Sequence, residues 1–158
     1  MTRSAKRGAT LVLALFVVAV IFVAGLGFAE RSQAQYRASV QTGRAAEAMA
    51  LAEAGLDDAL TKLRRDWAFP PASAEDQTNF SYQDSLTNSR GDTVGSYQVD
   101  LDLSQMKLDH KVLIIRSKGR VGPTSAPSAE RSVEVEVDMD PTRATYFQVL
   151  NWTDLGGF

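Results

Sequence analysis

Arg7-Gly8-Ala9-Thr10-Leu11-Val12-Leu13 opens a run that stays apolar as far as Ala29, and the reading of that run decides the fold. Ala9 to Ala29 is 21 residues without a charge, Asn, Gln or His. As a helix it would be roughly 31 Å long, enough to cross a hydrocarbon core of about 30 Å. Arg3, Lys6 and Arg7 precede it, and Glu30 and Arg31 follow. A basic excess on the short N-terminal side predicts a single-pass chain, N-terminus in and C-terminus out. The remainder of the chain would then lie on the far side of the membrane.

Outward from that run the helical pattern does not stop. Residues 30–66 hold no proline and are rich in Ala, Glu, Leu, Arg and Gln, all good helix formers. Gly43 and Gly55 interrupt, each at a cost of about 1 kcal/mol. Met49, Ala52, Leu56, Ala59, Leu60, Leu63 and Trp67 recur in steps of three and four, which predicts one apolar stripe for packing on a sheet. Asp58 and Lys62 form a favourable i,i+4 pair. Lys62, Arg64 and Arg65 suit the C-terminal end of the dipole, and Pro70-Pro71 end the helix. One helix from Ala9 to Asp66 would be roughly 87 Å long.

The start resembles the class III leader of type IV pilins and pseudopilins: a short basic segment ending in Gly8, then Ala9, Thr10-Leu11 and an unbroken apolar helix. The resemblance implies cleavage between Gly8 and Ala9 by a prepilin peptidase on the cytoplasmic side, and methylation of the new Ala9 N-terminus. A secretory signal differs in having a shorter apolar segment, removed at a small-residue site. Gly27-Phe28-Ala29 offers such a site, and an uncleaved signal anchor is the other rival. The phrase Ala45 to Leu56, with its Ala-Glu-Ala-Gly-Leu ending, resembles PilX-type minor pilins; the likeness covers residues 7–66. It implies other pilin subunits, the prepilin peptidase, an inner-membrane assembly platform and the lipid bilayer as partners. Localisation would be the inner membrane, then the pilus or pseudopilus. Most major pilins carry Glu at the fifth mature residue, facing the N-terminal amine of a neighbour; here that position is Leu13. A subunit with Leu13 cannot neutralise an amine above it, so it fits best at a filament tip, as inferred for the K-type minor pseudopilin.

Beyond the helix, residues 68–94 read as a loop with scattered Pro, Ser, Asn and Gly, pinned to the head by Phe80 and Tyr82. Tyr97, Val99, Leu101 and Leu103 alternate with polar residues as a half-buried strand. Asp109-His110 suits a turn, and Lys111 to Arg116 is the most apolar strand and so central. Gly119–Gly122 and Pro123–Pro127 read as a second loop. Val133, Val135, Val137 and Met139 alternate as a third strand, ended by Pro141. The expected sheet is a three-stranded antiparallel meander with one face on the helix and the other solvated and acidic. The aromatic tail from Ala144 to Phe158 reads either as a fourth strand or as the start of a longer head. The fold class is therefore α+β, with residues 1–8 as leader, 9–29 membrane helix, 30–67 amphipathic extension and 68–158 exported head.

Catalysis finds little footing. With no Cys and one His, thiol chemistry is excluded and any triad would need His110, which sits in a turn with no nucleophile elbow. Gly25-Leu26-Gly27 lies inside the apolar run rather than after a strand, unlike a phosphate loop. Asp100, Asp102, Asp138 and Asp140 raise a calcium hypothesis, but their spacing is strand alternation and not a compact calcium loop. A net charge of −2, falling further on loss of the leader, does not favour nucleic acid. The expected role is non-enzymatic and without cofactor: a minor pilin or pseudopilin that primes assembly or occupies a tip. A tip adhesin or DNA receptor on the same architecture, and a signal-anchored periplasmic protein, are the alternatives; pilus, type II secretion and DNA uptake are not distinguished.

Overall fold

The computed structural model describes residues 3–66, 69–71, 78–108 and 110–157, with side chains from Val12 onward. Helix α1 spans Arg3–Arg65, and strands β1 (Asn79–Thr87), β2 (Thr93–Asp102), β3 (Val112–Val121), β4 (Ala129–Asp138) and β5 (Val149–Gly156) follow. The chain divides into two compact units, Met1–Gln41 and Thr42–Phe158. In the first unit the described part is helical throughout, and every side chain from Val12 to Gln41 is exposed. The head unit takes in the helix from Thr42, so the boundary falls inside α1 and not at its end.

The head is one five-stranded antiparallel sheet in the order β1-β2-β3-β4-β5, a pure meander with one layer of helix on it. The fold class is α+β, and β3 is central as its composition predicts. Three of the strand expectations need correction. Residues 79–87 are a strand, not part of a loop; Phe80 and Tyr82 alternate with Ser81 and Gln83 but are followed by inward-register Asp84, which breaks the apolar pattern. β3 continues through Arg116 to Val121, so Gly119 lies in a strand and not in a loop. The tail is a strand, as one of its two readings has it, but the fifth and not the fourth: β5, with Leu150 and Leu155 as extra residues where its register on β4 shifts.

Much of the expected stripe is the packed face: Ala52, Leu56 and Ala59 are buried, and Leu60 and Leu63 lie half-buried against the core. Ala48 and Gly55 are buried beside them, while Met49 is only half-buried and Trp67 lies outside the described residues. Leu56 and Ala59 join Tyr97, Val99, Leu101, Leu113, Ile115, Val135 and Val137 in the core. Small residues dominate because the helix backbone itself lies on β3. A Cβ on Gly119 would fall 2.1 Å from the Ala48 carbonyl oxygen and 2.4 Å from the Ala52 nitrogen. A Cβ on Gly55 would stand 2.5 Å from the Ser117 Oγ and 2.8 Å from the Tyr97 ring. Gly55 weakens the isolated helix, but in the head it permits the approach that buries Leu56.

Candidate membrane helix and head surfaces

The apolar part of α1 is a candidate membrane-spanning helix near the N-terminus. Val12, Leu13, Leu15, Phe16, Val18, Ile21, Phe22 and Val23 are each about two-thirds exposed. Among the described residues none buries this surface, and apolar area left to water is unfavourable by about 25 cal/mol per Å². Gly8 and Ala9 lie in the helical segment Arg3–Arg65. Leu13 is 67 % exposed on the same helix.

At the other end of α1, β1 is held by a polar and aromatic cluster. Lys62 Nζ donates to Asp58 Oδ2 at 2.6 Å, the pair anticipated from their spacing, and the Tyr82 hydroxyl donates to the same oxygen at 2.9 Å. Lys62 Nζ also sits 3.9 Å from the Tyr82 ring centroid. Phe69 meets Phe80 and Tyr82 edge-on, with centroids 5.6 and 5.8 Å away. Burial works to raise the Asp58 pKa, but the Lys62 and Tyr82 hydrogen bonds and the Lys62 charge outweigh it and the net direction is down. The same carboxylate, with burial the larger cause, pushes Tyr82 well up and Tyr97 up to about 12.

The solvated face of the sheet is not simply acidic. Arg116, Lys118 and Arg120 share this face of β3, Arg116 between Asp100 of β2 and Glu134 of β4, and Arg120 opposite Glu130 of β4. Arg116 pairs with Glu134, Arg120 Nε lies 2.8 Å from Glu130, and Lys118 Nζ 3.5 Å from Glu130. Lys118 and Arg120 escape notice when the strand is read as ending at Arg116. The Glu130 pKa is lowered: burial opposes, but Arg120 and Lys118 outweigh it.

The four aspartates of the calcium hypothesis do not converge. Asp100 and Asp102 border a hollow of about 330 Å³ that also contains Arg116. Asp138 is fully buried at the end of β4 and organises the turn before β5. Thr145 Oγ1 donates to it at 2.5 Å, the Asp140 amide at 3.0 Å, and Arg143 Nη1 lies 3.4 Å away. Its backbone accepts from Phe147 N–H at 2.6 Å and donates to the Gln148 carbonyl at 3.0 Å. The Thr145 bond, then that of Asp140, lowers the Asp138 pKa. Asp140 is turned to Thr142, whose amide and hydroxyl donate to it at 3.0 and 2.7 Å. Among the described residues no group of three or more His, Cys, Asp or Glu could hold a metal ion. His110 is exposed, and its neighbour Asp109 lies outside the described residues.

Two further surfaces are apolar. An open groove of about 490 Å³ is lined by Leu51, Ala54, Leu86, Val94 and Val121, with Glu47 at its side. The other is β5, whose Val149, Leu150, Trp152 and Leu155 are 46–50 % exposed. Sequence alternation alone missed both, because each depends on which strands are edges. No protein-family model, characterised protein or solved structure matches the chain.

Proposed function

We propose that this chain is a minor type IV pilin or pseudopilin of the PilX kind, a non-enzymatic subunit that primes assembly or occupies the tip of a bacterial filament. The observation that carries the reading is the leader-like Arg7-Gly8-Ala9-Thr10-Leu11 at the head of a helix that runs on, without a break, to Arg65. A removable signal has no use for such a continuation. The apolar half of α1 suits first a bilayer and then the core of a filament, and the antiparallel head suits an exported cap on that spine. Arg3, Lys6 and Arg7 favour an N-in, C-out orientation before cleavage. Intact mass of the protein from membranes tests the reading. It should lack residues 1–8 and carry one added methyl at Ala9; a chain beginning at Met1 or at Glu30 overturns it.

Leu13 bears on position within the filament. An unpaired ammonium in a hydrocarbon-like core costs several kcal/mol, and Leu13 offers no carboxylate to an amine above it. The subunit should therefore be confined to filament ends, and its loss should reduce filament number more than length. Leu13→Glu should let other subunits stack above and spread the protein along the shaft. Labelled heads in sheared filaments report this directly; wild-type label already spread along shafts would rule out placement by Leu13.

A further inference from the structure

β1 and β2 are joined by Asn88-Ser89-Arg90-Gly91-Asp92, and every one of these residues is exposed. The turn is closed by its own backbone and by one side chain. Gly91 N–H donates to the Asn88 carbonyl at 3.0 Å, and Asn88 N–H to the Asp92 carbonyl at 2.9 Å. Asn88 Oδ1 accepts from the amides of Arg90 at 2.8 Å and Asp92 at 3.0 Å, while Asn88 Nδ2 donates to Asp92 Oδ2 at 3.1 Å. Gly91 sits at φ 88°, in the left-handed region that suits glycine.

Turn chemistry explains Asn88 and Gly91, since Asn bonds the amides ahead of it and Gly supplies the positive φ. It does not explain Arg90. Among the described residues the Arg90 side chain makes no hydrogen bond, ion pair or ring contact, and Asp92 keeps Oδ1 free. A cation and an anion thus stand in water on either side of a residue without a side chain, and they are not spent on each other. A Cβ on Gly91 would meet nothing within 4 Å, so the backbone between the two charges is open to close approach from outside.

We propose that Arg90-Gly91-Asp92 is a docking epitope for an adhesion receptor of the integrin type, a protein that takes the aspartate on a divalent cation it holds and the arginine in a carboxylate-lined pocket. Arg-Gly-Asp on an exposed turn is the sequence that such receptors read. Each charge has the chemistry for its half of the contact. The Arg90 guanidinium is a planar fork of donors that matches a carboxylate bidentately. The Asp92 carboxylate is a hard oxygen ligand of the kind magnesium and calcium accept. One carboxylate does not make a metal site, and no group of three or more His, Cys, Asp or Glu gathers among the described residues. The cation must therefore come with the partner. Nucleic acid is disfavoured, because Asp92 would repel the phosphate that Arg90 attracts. The Asn88 bonds hold the turn in one shape beforehand, which lowers the ordering cost of so small a contact. The epitope meets its receptor only if the head is exported; its binding chemistry is otherwise independent of the filament reading and is measured on purified protein.

Full-length protein in phosphatidylcholine vesicles is passed over immobilised ectodomains of several Arg-Gly-Asp-binding integrins, with magnesium and manganese present. Capture above that of empty vesicles is expected from at least one of them. EDTA should abolish it, as should excess linear Gly-Arg-Gly-Asp-Ser peptide, whereas Gly-Arg-Gly-Glu-Ser should not. Asp92→Glu keeps the charge and the amide bonds to Asn88 but displaces the carboxylate by one methylene. Arg90→Ala removes a side chain that touches nothing in the head. Each should weaken capture by about tenfold or more, the effect of losing a charged anchor at an interface. The head's melting curve should stay unchanged in Arg90→Ala, and Glu53→Ala should be captured like wild type. The proposal is overturned if no ectodomain captures the protein, or if capture resists EDTA. Capture undiminished by Arg90→Ala or by Asp92→Glu overturns it too, by placing the contact on another surface.

Discussion

Residues 12–29 and 42–65 belong to one helix, yet they solve opposite problems. The first stretch is apolar on every side and exposed on every side. The second hides one narrow face of Ala48, Ala52, Gly55, Leu56 and Ala59 against a sheet and exposes Glu53 and Asp57. Uncovered apolar surface asks for a non-aqueous medium, so large side chains such as Phe16 and Phe22 serve it well. A face pressed onto a strand asks for small side chains, because backbone approach and not side-chain bulk determines the fit. An apolar helix position therefore means different things in the two halves.

The contrast is broken most severely at the tight contact. Gly119→Val would drive a side chain into the helix backbone at Ala48 and Ala52, where no flexible group can yield. A loss above about 4 kcal/mol is expected, enough to leave the head unfolded in thermal melts. A folded Gly119→Val head would show that the helix can lift off the sheet cheaply. Leu56→Ala comes next: Leu56 is 2 % exposed, and a buried leucine truncation costs about 2–5 kcal/mol. Half-buried Leu60 should cost less on truncation, and exposed Glu53→Ala should be close to neutral. Equal effects of Leu56→Ala and Glu53→Ala in denaturant titrations would put the packed face elsewhere.

The exposed half is probed by charge. Phe22→Arg places a cation near the middle of the apolar run, at a cost of about 2.5–3.5 kcal/mol for insertion. Its share in the membrane fraction should fall, whereas Ala46→Arg, on an exposed head position, should leave fractionation unchanged. If the two behave alike, the run does not enter a bilayer. The smallest effect is at the helix end. Asp58→Asn keeps shape but removes the charge held by Lys62 and Tyr82, worth about 1–3 kcal/mol. Because folding lowers the Asp58 pKa below its ordinary carboxylate value, this stability is present above the unfolded pKa and is lost as pH falls through the folded pKa. Acid titration of the wild-type and Asp58→Asn heads should converge at low pH; a constant gap at all pH values would mean the charge is not the source.

Local periodicity made much of this molecule legible from residues alone. The apolar run, the continuing helix, the Asp58–Lys62 pair, the centrality of β3 and the β4 alternation are all written within a few residues of one another. What tertiary structure decided depends on groups far apart in the chain. β1 was hidden because Asp84 interrupts its pattern and finds its place only beside Tyr97 of β2. The basic stripe of β3 takes its meaning from Glu130 and Glu134 on β4, and Gly55 takes its meaning from Ser117 and Tyr97. Asp138, one carboxylate in an alternating series, becomes the buried anchor of the turn that delivers β5. A period of 3.6 or 2 follows from covalent geometry and can be read in sequence, whereas edges, close approaches and ion partners arise only when strands are brought side by side.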